Sequence, residues 1–137
     1  MAFIDKTIEV VADVRNVYEA WAAFEDYPTF METIETVTLL EEDRLHWVAV
    51  VDEETFEWDA DLVEYVVDEK VSWRAIDGRE SGEVRFEKLD VDHAQVTYQL
   101  EYDPQAWEGK PDTVRHWMNR RVERDLEAFK GLVEELD

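Results

Sequence analysis

From residue 33 to residue 103, apolar side chains return at every second position. Phe56, Trp58, Ala60 and Leu62 alternate with Glu57, Asp59 and Asp61, and Val84 and Phe86 alternate with Glu83, Arg85 and Glu87. Val96, Tyr98, Leu100 and Tyr102 alternate with Gln95, Thr97, Gln99 and Glu101. A period of two wets one side of a strand and covers the other, which marks antiparallel strands with one buried face. Turn signals at Glu41-Glu42-Asp43, Asp52-Glu53-Glu54, Asp68-Glu69-Lys70, Asp77-Gly78 and Asp90-Val91-Asp92 cut the run into about six strands.

The flanking segments complete the pattern. Residues 3–11 read as one more strand, with Ile8 and Val10 on one face and Thr7 and Glu9 on the other. Asp13 is placed to cap a helix in which Val14, Val17, Tyr18, Trp21 and Phe24 fall at helical spacing. Pro28 is expected to break that helix, with a short helical turn after it. Pro104 ends the last strand, residues 105–111 form a loop, and Asp112 or Thr113 caps a helix running to about Leu136. Val114, Trp117, Met118, Val122, Leu126, Phe129, Val133 and Leu136 draw one apolar stripe along it. The reading is a single α+β domain over residues 1–137, in the order β-α-α-β6-α. An apolar sheet face and an apolar helix stripe must cover each other.

Composition narrows the function. The chain carries 36 acidic and 14 basic residues, a net charge of −22, and such a field repels nucleic acid. Residues 1–111 hold 29 of the acids and 9 of the bases, so the strand-rich part carries nearly all of the charge. Either a high-salt cytoplasm or ordinary bacterial acidity accounts for it. The absence of cysteine excludes disulfides and thiolate chemistry. No signal peptide is visible at the N-terminus and no apolar run reaches membrane-spanning length, so a cytoplasmic protein without membrane insertion is expected. His46, His93 and His116 are scattered, and Asp59/Asp61 and Glu41-Glu42-Asp43 lack the glycine and distal glutamate of a calcium loop. No metal or cofactor is expected. The four glycines form no P-loop, nucleophile elbow or dinucleotide fingerprint.

Several strings occur in a telling order: Val17-Tyr18-Glu19-Ala20-Trp21, Tyr27-Pro28-Thr29-Phe30-Met31, His46-Trp47 and Phe56-Glu57-Trp58-Asp59-Ala60. Val71-Ser72-Trp73-Arg74, Asp77-Gly78-Arg79 through Gly82-Glu83-Val84-Arg85-Phe86, Tyr102-Asp103-Pro104 and Val122 through Lys130 follow. Together they resemble the polyketide cyclase/dehydrase family of the START-like superfamily, which also includes coenzyme Q-binding proteins. The resemblance implies a helix-grip fold, a curved seven-stranded antiparallel sheet around a long C-terminal helix, with a cavity for a hydrophobic ligand between them. After Pro104 this chain has Gln105-Ala106-Trp107-Glu108-Gly109-Lys110, where such relatives often have a glycine-rich stretch.

Candidate cavity residues are Trp47, Trp58, Trp73, Phe86, Tyr98, Trp117, Arg121 and Asp125. The three strand tryptophans either pack the core or offer indole N–H donors to a flat or polyene ligand. Asp125 falls inside the helix stripe with Arg121 at its edge four residues earlier, so the two read as an ion pair or as a polar headgroup site. Arg120, Arg121 and Arg124 form a small basic cluster interleaved with Glu123, Asp125 and Glu127. His46 faces outward if Trp47 faces inward.

Three functions compete: binding or carriage of a lipid, isoprenoid quinone or polyketide-like molecule; cyclase, aromatase or dehydratase chemistry; and protein interaction. Proton transfer would draw on Arg121, Tyr98, Asp125 or His46. The acidic outer face makes a prediction independent of that choice. Screening by neutral salt relieves like-charge repulsion, so the melting temperature rises with ionic strength; a flat melt across added salt would count against it.

Overall fold

The computed structural model describes residues 2–41, 43–107 and 110–136; Glu42, Glu108, Gly109 and the side chain of Leu136, quoted above, lie outside the described part. Strand β1 (Ala2–Val10) leads into helix α1 (Val14–Ala22) and a 3-10 turn (Phe24–Thr29). Strands β2 (Ile34–Leu39), β3 (Arg44–Val51), β4 (Glu54–Val66), β5 (Lys70–Ala75), β6 (Glu80–Asp90) and β7 (His93–Tyr102) follow, then a short 3-10 turn (Pro104–Ala106) and helix α2 (Pro111–Leu136). The strands form one antiparallel sheet in the order β1-β7-β6-β5-β4-β3-β2. This is the expected seven-stranded arrangement with its long C-terminal helix.

Local chemistry explains the boundaries. Asp13 caps α1 by accepting from the Arg15 N–H at 2.8 Å. The helix stops earlier than expected, at Ala22, and Pro28 lies inside the 3-10 turn that follows. The Tyr27 hydroxyl donates to the Trp21 carbonyl at 2.6 Å, satisfying an oxygen released at the helix end. Helix α2 begins slightly before the expected caps, with Pro111 in its first turn and the Val114 N–H donating to Lys110 O at 3.1 Å. The β3–β4 hairpin turns on Asp52 and Glu53, both left-handed at φ 51° and 68°. In β4 the alternation ends sooner than the sequence suggested. A bulge between Leu62 and Glu64 leaves Leu62 partly buried and turns Val63 and Tyr65 toward water.

The inner face of the sheet and the α2 stripe from Val114 to Val133 make one core, crowded with rings. Trp47 stacks on Trp58 with centroids 5.8 Å apart and planes 7° apart. Trp107, fully buried, meets Trp58 and Trp117 edge-on at 5.0 and 5.2 Å, with the Arg79 guanidinium 4.8 Å from its own ring centre. On the same inner face, Trp21 of α1 meets Tyr98 of β7 at 5.4 Å and Phe129 of α2 at 4.9 Å.

Trp73 pairs in register with Gly82 across β5 and β6, and its indole lies where a Gly82 side chain would be. A Cβ on Gly82 would come within 2.3 Å of the Trp73 ring. Gly82→Ala is therefore expected to destabilise the fold by about 1–3 kcal/mol or more, the usual range for overpacking a core, as measured by urea unfolding.

Candidate functional site

Glu80 opens β6 on its inward phase, in step with Gly82, Val84 and Phe86. A carboxylate on that face must be matched or it is costly. Its Oε1 accepts from Arg121 Nη1 at 2.8 Å, and its Oε2 accepts from Trp73 Nε1 at 3.1 Å. The side chains of Glu80 and Arg121 are both fully buried. The alternation of β6, carried back from Val84 by two steps, points to Glu80, yet the sequence reading passed over it inside the string from Asp77 to Phe86. The expected Arg121–Asp125 contact is present but long, with Nε 3.8 Å from Oδ2. Arg121 also lies inside the core rather than at the stripe's edge, and its close partner is Glu80. The buried rings of Trp47 and Trp117 flank its guanidinium, with centroids 5.6 and 5.5 Å away.

Three polar atoms around this pair have no hydrogen-bond partner among the described residues: Arg121 Nε, Arg121 Nη2 and Asp125 Oδ2. Burial pushes the Asp125 carboxyl up to about 7, even against the opposing charge of Arg121. Burial alone would lower the Arg121 value, but the neighbouring Glu80, Tyr98 and Asp125 together outweigh it and hold the guanidinium charged. The Tyr98 hydroxyl, also buried and without a well-formed hydrogen bond among the described residues, is raised by burial against the pull of Arg121.

A pocket of about 330 Å³ opens beside these groups. Thr33 ahead of β2, Val50 and Val51 of β3, and Trp117, Arg121 and Asp125 of α2 line it. Trp117 Nε1 donates to Thr33 Oγ1 at 2.8 Å, tying the helix wall to the sheet wall. Glu32, Asp52, His116, Arg120 and Arg124 complete the lining. Arg124 pairs with Glu32 at 3.1 Å, and Arg120 approaches His116 at 3.5 Å.

The other candidates lie elsewhere. Trp47, Trp58, Trp73 and Tyr98 are buried behind the Arg121 cluster in ring-to-ring contact, and none of the four lines this pocket. Phe86 packs edge-on against Tyr18 of α1, 5.9 Å away. His46 faces outward between Asp59 at 2.7 Å and Glu57 at 3.1 Å, and these bonds raise its pKa. Asp90, Asp92 and His93, at the β6–β7 turn, cluster closely enough to hold a cation, on the exposed surface far in sequence from the pocket. The pocket's sheet-side wall escaped the sequence reading, because Thr33, Val50 and Val51 meet α2 only through tertiary packing.

Residues 10–130 match the family described as polyketide cyclase / dehydrase and lipid transport. The chain belongs to that family. It is 33% identical over 137 residues to an uncharacterized 17.2 kDa protein of Streptomyces lincolnensis, covering 98% of this chain and 91% of the relative. Among solved structures it superposes on a START superfamily protein from Mycobacterium smegmatis with a TM-score of 0.83, at 16% identity, covering 98% of this chain and 99% of that one. The Zhui aromatase/cyclase from Streptomyces sp. R1128 gives a TM-score of 0.77 at 22% identity, covering 97% and 93%. At those identities the two structures establish the START-like helix-grip fold. No helix among the described residues is long and apolar enough to cross a membrane.

The Asp125 carboxyl leaves a signature in stability. Between the ordinary aspartate value of about 4 and about 7, the folded family member holds a proton that the unfolded chain has released. Its contribution to stability therefore falls as pH rises through that window and is level above it. Asp125→Asn, which cannot ionise, is expected to gain on the parent by a few kcal/mol more at pH 8 than at pH 5. Urea unfolding at the two pH values measures the difference, and a pH-independent offset would contradict it.

Proposed function

We propose that this chain binds a compact amphipathic small molecule in the pocket against α2. Its apolar body lies against Val50, Val51 and Trp117, and an oxygen-bearing end meets Arg121 and Asp125. One observation carries this reading: buried donors on Arg121 that make no hydrogen bond among the described residues, beside an open pocket that Arg121 lines. Arg121 is held charged and aimed by Glu80, so its remaining N–H groups need no reorganisation to receive a ligand oxygen. The volume, about 330 Å³, is near the lower end of small-molecule sites. That favours a metabolite-sized ligand over a long-chain lipid. Membership of a family described by cyclase, dehydrase and lipid-transport roles supports hydrophobic-ligand binding in general.

A second reading, cyclase or dehydratase chemistry, draws on Asp125. A carboxyl raised to about 7 beside a fixed cation is suited to give and take a proton at neutral pH. Under that reading Asp125→Asn abolishes turnover while binding persists.

Native mass spectrometry of the protein isolated from its own host tests the binding reading. The expected result is a bound small molecule released by organic solvent. Val51→Trp, which adds bulk on the inward phase of β3 at the pocket wall, is expected to empty it. A parent protein that carries nothing, and whose melting temperature no apolar oxygenated compound shifts, would overturn the reading.

A further inference from the structure

We propose that the pocket selects an organic monoanion, a carboxylate on a compact apolar body, and takes it up together with one proton. The inference rests on the pocket reading above and names its ligand class.

The argument is a matching of charges and donors. Glu80 neutralises Arg121 through the 2.8 Å bond, and its second oxygen is taken by Trp73. Among the described residues Arg121 Nε, Arg121 Nη2 and Asp125 Oδ2 make no hydrogen bond, Nε and Oδ2 meeting only at the 3.8 Å ion-pair distance. With Asp125 ionised, this buried group is already one negative charge in excess. A ligand carboxylate would then set a third anion against a single guanidinium, which a water-poor site disfavours strongly. A proton on Asp125 removes that conflict and turns an acceptor into a donor. Arg121 N–H and Asp125 O–H then offer two donors to the two oxygens of one carboxylate, a charge-assisted pairing. A neutral ketone or alcohol matches only part of this set.

The groups facing Asp125 agree with a site short of one proton. Arg121 of its own helix favours the anion, while Glu32, ahead of β2, opposes it. Glu80 of β6 and Tyr98 of β7 stand on the far side of Arg121 and share its field. Asp52 adds another acid to the lining, and Arg124 is engaged by Glu32. Among the described residues Arg120 meets no carboxylate and approaches His116 at 3.5 Å. On a chain of net charge −22, Arg120 and Arg124 offset Glu32 and Asp52 in the pocket lining and lower the repulsion an anion meets there.

Isothermal titration calorimetry of the full chain with 1-naphthoate and its uncharged counterpart 1-naphthamide tests this between pH 5.5 and 8.5. The naphthoate is expected to bind about tenfold or more tightly than the amide at pH 6, as befits a charge-assisted pair. Above pH 7 its affinity is expected to fall about tenfold per pH unit, the slope for uptake of one proton. Titrations at pH 8 in two buffers of different ionisation enthalpy count that proton directly. Asp125→Asn is expected to keep binding at pH 6 and to lose the slope. Equal or tighter binding of the amide, or naphthoate binding at pH 8 without proton uptake, overturns the inference and leaves the pocket reading in place. Failure of both probes to bind at any pH overturns both.

Discussion

The Glu80–Arg121 pair joins the sheet to the helix, and the interior is arranged to make it tolerable. A buried ion pair loses the hydration of both members, so every remaining oxygen and N–H needs a partner or a use. Gly82 lets the Trp73 ring lie flat across β6, which brings its N–H to the second Glu80 oxygen. Glu80 then bonds Arg121, and the rings of Trp47 and Trp117 flank the guanidinium. Removing either member alone would strand a buried charge, a loss of about 3–5 kcal/mol in comparable cores. The pair thus fixes which face of α2 meets the sheet. By doing so it decides which polar atoms reach the pocket.

The aromatic content belongs largely to the fold. The strand tryptophans invite a picture of an aromatic-lined cavity, but Trp47 and Trp58 stack on each other and Trp107 fills the space beside them. Ligand space is left at the edge of this cluster, between the β3 end of the sheet and α2, with Trp117 as its aromatic wall. The chemistry follows from that displacement. A deep ring-lined cavity would select by shape and apolar surface; on the proposed reading, a pocket lined by Arg121 and Asp125 would select by oxygen placement and protonation.

Strand count, the order of elements along the chain and the helix stripe were legible in the residues because each rests on a repeat that runs through the element. Local overrides were harder to see. The β4 bulge after Leu62 and the early end of α1 at Ala22 depend on partners distant in sequence or on one hydroxyl bond, Tyr27 to Trp21. Arg121 and Asp125 stood out as polar groups in or beside an apolar stripe. Glu80 stood out less, since a glutamate near a turn in a chain with 36 acids looks like surface. The same excess of acid that identifies the outer face hid the buried Glu80.

Helix α2 is pinned at several levels: Trp117 to Thr33, Arg121 to Glu80, Lys130 to the Glu9 carbonyl at 3.0 Å, and Glu134 to the Val11 N–H at 2.8 Å. Each residue added to a helix turns everything beyond it by about 100°. An insertion or deletion anywhere between Trp117 and Glu134 would swing at least one of these anchors off its partner. Sequence drift in this protein is thus free to exchange the outward side chains of α2, while its length over that stretch stays locked. Changes in the helix's length that spare these anchors are confined to its two ends, before Trp117 and after Glu134.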